Sequence, residues 1–217
     1  MRSAERLWSA DRPLTATGIL MLGWLTASLA GLAIDSRVIT GAPAWQTFED
    51  RALGWALRLG LSITIIGASS GGLMTQPTAA QLDEARTTHR MSVAGAHTVG
   101  APDGGPGMTG TGWSLEHGDL RIPHFIGLHA LQVLPLLALA SRRGRWSEIT
   151  RVRLSFIAAA SYVLLFAILL GQALRGHALV QPDAATVAAL TAWAAVTAIA
   201  GWLAAARSDS GAAHFVR

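Results

Sequence analysis

Residues 14–34, 52–74, 123–140, 154–174 and 184–206 are each apolar over roughly the 20 residues a helix needs to cross a hydrocarbon core. Backbone N–H and C=O groups find no water there, so each stretch must satisfy them internally as a helix. The fold expected is all-α: an integral membrane bundle of about five transmembrane helices in a single domain. Residues 75–122, between the second and third stretches, form a long Gly/Pro-rich loop.

Composition agrees with this class and removes others. Of 217 residues 51% are hydrophobic and 14% charged, with a mean hydropathy of +0.39, too apolar for a soluble domain of this length. With no cysteine, disulfides and thiolate metal sites are ruled out. The net charge of +4 does not point to nucleic acid, because the arginines stand beside apolar stretches rather than on a basic face with aromatics. Membrane topology explains them better, and the lipid bilayer is the partner that follows.

Arg142, Arg143, Arg145, Arg151 and Arg153 crowd the segment between the third and fourth stretches, a strong cytoplasmic signal. Fixing that segment inside places the 75–122 loop outside, the N-terminus outside and the C-terminus inside a bacterial inner membrane. Arg2, Arg6 and Arg12 pull against the outside N-terminus. Small-residue patterns at Ser28-Leu29-Ala30 and Gly31-Leu32-Ala33 would suit cleavage of the first stretch. Its apolar run exceeds the usual signal-peptide core, so a retained helix is expected.

Gly67 and Gly71 stand four apart in the second stretch, the spacing that lets helices approach closely. Trp45, Trp113 and Trp146 flank the stretches where interfacial anchors sit. Arg58, near the start of the second stretch, has a stem long enough to snorkel to the headgroups.

The 75–122 loop opens with Thr75, Pro77, Thr78 and then acids, a pattern for a short helix on the membrane surface. Pro102-Asp103-Gly104-Gly105-Pro106-Gly107 sets tight turns. The turns alternate with His97, Trp113 and Asp119, side chains able to pin the segment as a cap over the bundle. Gly105, Gly107 and Gly110 match the bare dinucleotide spacing, but no strand precedes them and no crossover helix follows, so chance explains them.

The densest motif runs from Gly118 to Gln132, Gly-Asp-Leu-Arg-Ile-Pro-His-Phe-Ile-Gly-Leu-His-Ala-Leu-Gln, and carries charge and imidazole into an apolar stretch. Ionisable groups at that boundary are costly and point to a site. Pro123 suits a first helical turn, with Asp119 near its positive end. His124 and His129 then project about 140° apart and do not chelate one ion together. A transmembrane haem, which wants axial histidines from facing helices, is disfavoured. A divalent metal held by His97, Asp119 and His124 at the outer face has the right donor chemistry, though no recognised metallohydrolase spacing supports it. The competing reading is structural: Asp119 and Arg121 anchor the helix, His97 bonds within the cap, and His129 with Gln132 forms a buried polar contact between helices. Function is accordingly expected to be non-enzymatic, with a small hydrophobic ligand or a membrane protein partner in a pocket between the loop and the third helix. The alternative is a metal-dependent enzyme using the His97, Asp119 and His124 site.

Together Gly95-Ala96-His97-Thr98-Val99-Gly100, the Pro102–Gly107 turn, the Gly118–Gln132 motif, Arg175-Gly176 and Gln181-Pro182-Asp183 resemble a family of uncharacterised bacterial multi-pass membrane proteins. The resemblance covers roughly residues 51–190. It implies several membrane helices and a shared signature, and no activity.

Overall fold

A computed structural model of the chain describes residues 50–212, with side chains through residue 206; the first expected span, 14–34, lies outside the described residues. The second stretch forms α1 (Arg51–Met74), started by Asp50, whose carboxylate accepts the Leu53 N–H at 3.1 Å. Ala52, Ala56, Gly60 and Gly67 are buried along one face of α1. At Gly67 the contact is backbone on backbone: a Cβ there would lie 2.4 Å from the Gly127 Cα. The small-residue spacing around Gly67 thus marks a helix crossing, as expected from sequence.

The expected short helix after α1 forms as α2 (Ala79–Thr88), closed by a reciprocal cap between Thr78 and Gln81. Gln81 also bonds both backbone groups of Gly95, N–H at 3.1 Å and C=O at 2.9 Å, and so folds the following strap back over α2. Two short strands follow, β1 (Thr98–Val99) and β2 (Gly118–Asp119), antiparallel with Thr98 opposite Asp119.

The third stretch is not one helix. It is α3 (Arg121–Leu128) and α4 (Ala130–Ala140), bent by 45° at His129. Pro135 removes the donor that Leu131 C=O would use, and α1 fills the break from the side. The Thr64 hydroxyl donates to Leu128 C=O at 3.3 Å and accepts the Leu131 N–H at 3.2 Å. Tyr162 OH donates to Ile126 C=O at 2.7 Å, and His129 Nδ1–H to Phe125 C=O at 2.8 Å. Thr64 thus serves the Leu128 carbonyl and the Leu131 amide at the break, while Tyr162 and His129 add second bonds to carbonyls that already accept the His129 N–H.

A 3-10 turn (Ser141–Arg143) leads to α5 (Glu148–Leu174), capped by Ser147, whose hydroxyl accepts the Thr150 N–H at 3.2 Å. α5 therefore begins six residues before the expected 154, and Arg151 and Arg153 stand on a helix rather than in a loop. α6 (Ala184–Ala212) packs on α5 through Ser161 Oγ and Thr197 Oγ1 at 2.9 Å and Trp193 Nε1–H to Ser161 C=O at 2.8 Å.

Among the described residues three helices are long and apolar enough to cross a membrane (Arg51–Met74, Glu148–Leu174 and Ala184–Ala206), and the bent α3–α4 pair makes a fourth candidate. α1 lies against α3, α4 and α5, around a core of Ala56, Ile63, Ala130, Leu134, Ala138 and Ala159. Asp50, at the start of α1, binds Arg142 at 2.6 Å and also Arg151. The start of α1, the end of α4 and the start of α5 thus share one end, the arginine end. The strap, β1, β2 and the α5–α6 connection share the other, the cap end.

Candidate functional site

The cap end is organised around Asp119, whose side chain is 0% exposed. Its carboxylate accepts the Ser114 N–H at 2.9 Å, the Arg121 N–H at 3.0 Å, and Arg121 Nε at 3.0 Å with Nη2 at 2.7 Å. This is a two-pronged guanidinium–carboxylate pair reinforced by the first turn of α3. Burial alone would push the carboxyl up, but the Arg121 pairing and the two backbone N–H groups outweigh it and hold it below the ordinary carboxylate range. Arg121 Nη2 also donates to Gly112 C=O at 2.7 Å, so one guanidinium fastens the Pro106–Trp113 turn to the helix.

Asp103, from the Pro-Asp-Gly-Gly turn, accepts the N–H groups of His97 at 3.1 Å and Thr98 at 2.8 Å. His97 Nδ1 then lies 3.5 Å from Asp103 and 3.8 Å from Asp119. The cap is seated on the bundle where Gly118 meets the end of α5: a Cβ at Gly118 would be 2.0 Å from Ala173 C=O. Ala96 N–H to Met74 C=O at 2.9 Å and Gln181 Nε2 to Leu115 C=O at 3.1 Å tie it to α1 and to the α5–α6 connection.

Of the three residues expected at a metal site, His97 and Asp119 meet and His124 turns elsewhere. His124 Nδ1–H donates to Gly67 C=O at 2.8 Å, with its ring beside Gly71 on α1. Among the described residues no three His, Asp or Glu side chains gather as a metal-holding group. The expected buried contact between His129 and Gln132 needs correction. Gln132 is exposed, and both side chains serve their own helix, His129 at Phe125 C=O and Gln132, through its amide nitrogen, at Leu128 and His129 C=O. The reason is local: both side chains fold back on carbonyls of their own turn, of which Leu128 C=O has lost its backbone donor at the break because the Gln132 N–H bonds His129 C=O instead. Trp113 meets Phe125 edge-on at 5.5 Å, and Phe125 covers the His129 ring at 3.9 Å, so an aromatic column runs from the cap along α3.

Sequence reasoning missed Gln172 and Thr186 at this end, and it named Arg175 and Asp183 within the signature without their pairing. Gln172, 2% exposed in the last turn of α5, donates to Ala178 C=O at 2.6 Å and holds the α5–α6 connection. A buried amide near the end of an apolar stretch was the available signal. Arg175 pairs with Asp183 at 3.0 Å, and both bind Thr186; the guanidinium first, then Thr186, hold the Asp183 carboxyl well below its usual range. Between cap and bundle, Asp119, Ile122, Leu169, Gln172 and His177 line a cavity of about 10 Å³, room for about one water. Compared with protein-family models, curated proteins and solved structures, the chain matches none.

Proposed function

We propose that this chain is a non-enzymatic bacterial inner-membrane scaffold that holds a rigid cap at the extracytoplasmic ends of its helices and presents it to a membrane protein partner. One observation carries the reading: the carboxylate of the signature, Asp119, is fully buried and its oxygens are occupied by Arg121 and two backbone N–H groups. A general base or an open metal ligand needs a free lone pair facing substrate. His124 is likewise bonded to Gly67, and the space under the cap is of single-water size, which favours recognition on the outside of the cap over a ligand within it. Leu82, Met91 and Val93 are 40%, 40% and 63% exposed on α2 and the strap, an apolar rim available for contact. The arginine end faces the cytoplasm in this reading, by the positive-inside bias of Arg142, Arg143, Arg145, Arg151 and Arg153.

A photo-crosslinking residue at Val93, activated in intact membranes, tests it alongside elemental analysis of the tag-free protein. The reading expects one discrete adduct, and thermal destabilisation of His124→Ala without change in metal content. Near-stoichiometric metal that disappears in His97→Ala or His124→Ala while the fold persists would overturn it in favour of a metal-dependent enzyme. Absence of any adduct at Val93 would remove the partner.

A further inference from the structure

α4 buries Ala130, Leu134 and Ala138 in the core it shares with α1 and turns Gln132, Leu136 and Leu139 outward. With His129 at its start, these residues alternate three and four apart, the spacing of a helix-pairing seam. At 100° per residue they fall within about 80° of one another, on the side opposite the buried alanines. Leu136 is 63% and Leu139 39% exposed. Gln132 stands midway along the chain between Arg121 and Arg143, the charged ends of the α3–α4 pair, so where that pair crosses a membrane its amide lies at mid-depth. An amide or imidazole is costly to leave facing lipid there.

The bonds these two side chains make leave defined capacity over. His129 Nδ1 meets Phe125 C=O, which can only accept, so Nδ1 carries the hydrogen and Nε2 is the ring's remaining acceptor. The Gln132 amide nitrogen donates to Leu128 and His129 C=O, and its Oε1 has no bond among the described residues. His129 C=O also accepts the Gln132 and Val133 backbone N–H groups, so one amide hydrogen of Gln132 can turn outward without stranding it. The centre of the seam thus offers both a donor and acceptors. An amide opposite another amide is complete in itself, donor to acceptor in both directions. A two-fold axis along the membrane normal brings each residue to its own copy at the same depth, so a second copy of this chain supplies the match that an apolar helix or lipid would not.

We infer that α4 is the seam of a homodimer, in which the two Gln132 amides bond across the two-fold axis, Leu136 and Leu139 pack toward the arginine end, and His129 lines the same seam nearer the cap. The chain has no cysteine, so single replacements report cleanly. Leu136→Cys and Leu139→Cys place thiols on the seam, and Val196→Cys, at a residue 59% exposed on α6, places one on an outward face elsewhere. Oxidation with copper phenanthroline in native membranes, read on a non-reducing gel, gives disulfide-linked dimer from the two seam positions and little from Val196→Cys. Adding Gln132→Leu lowers the Leu136→Cys dimer at least about threefold, the loss of one average interhelical hydrogen bond in a membrane. The fold tolerates that change, because Leu128 C=O keeps the Thr64 hydroxyl and His129 C=O keeps its backbone donors. Equal dimer from Val196→Cys, a crosslink from Leu136→Cys to a different protein, or a yield indifferent to Gln132→Leu overturns the inference. So does reaction of unoxidised Leu136→Cys with a water-soluble maleimide, which would instead refute the crossing of the α3–α4 pair on which the seam rests.

Discussion

Asp119 at the cap end and Asp50 at the arginine end are both carboxylates placed at a helix start and bound by arginine, and they differ in reach. Asp119 pairs with a residue two positions away and is completely buried. Asp50 pairs across 92 and 101 positions and keeps a side-chain exposure of 10%. The first orders a loop that has few apolar residues of its own, so its loss should release the cap. The second clips together helices that already share a packed core, so its loss should only loosen one end. A buried charge sustains structure where apolar burial is scarce, and it is an addition where burial is ample.

The largest break in this comparison is Asp119→Ala. It strands the Arg121 guanidinium and leaves the Ser114 and Arg121 N–H groups without their acceptor, so the expected cost is about 3–5 kcal/mol, seen as a lowered unfolding midpoint in detergent. A change below about 1 kcal/mol, the size of a typical surface ion pair, would place Asp119 in the same class as Asp50. Asp50→Asn is the smaller effect, since asparagine still caps α1 and only the charge is lost, about 1 kcal/mol at neutral pH. Its signature is the acid dependence. Partial burial works against the charged form of Asp50, but Arg151, Arg142 and the Leu53 N–H prevail and lower its carboxyl from 3.8 to about 2. A depressed carboxyl contributes stability that is complete above the unfolded value and is lost as the pH falls through the folded one. The difference in midpoint between wild type and Asp50→Asn should therefore hold steady above pH 3.8 and vanish toward about 2. A difference constant across that range would mean the arginines act by packing alone.

The parts of this fold governed by local rules were legible in the sequence. Hydropathy marked the stretches that became α1, α5 and α6; Gly67 marked a close crossing; and the Asp119 and Pro123 pattern marked the start of α3. What depends on who stands opposite was not. The break at His129 needs the Thr64 hydroxyl from α1, and His124 needs the Gly67 carbonyl, neither of which spacing along one helix reveals. Asp50 went unremarked because its arginine partners are distant in sequence. The early start of α5 was readable and overlooked: Ser147 followed by Glu148 is a helix-start pattern, but apolarity fades there before the helix does. At the candidate site the signature residues were found, and half of their roles changed on folding. Asp119 and Arg121 anchor α3 as the structural reading expected, while Gln132 proved exposed and His124 parted from His97.

Hydrogen exchange of the backbone amides in the wild-type protein tests the central claim, that residues 95–121 are a cap fastened by Asp119, most directly. His97 and Thr98, bonded to Asp103, Ser114 and Arg121, bonded to Asp119, and Leu120, bonded to His97 C=O, are predicted to exchange slowly, on the scale of the helices of the bundle. Exchange of these amides at the rate of an unstructured chain, with the helices still protected, would contradict the account and make the segment a linker.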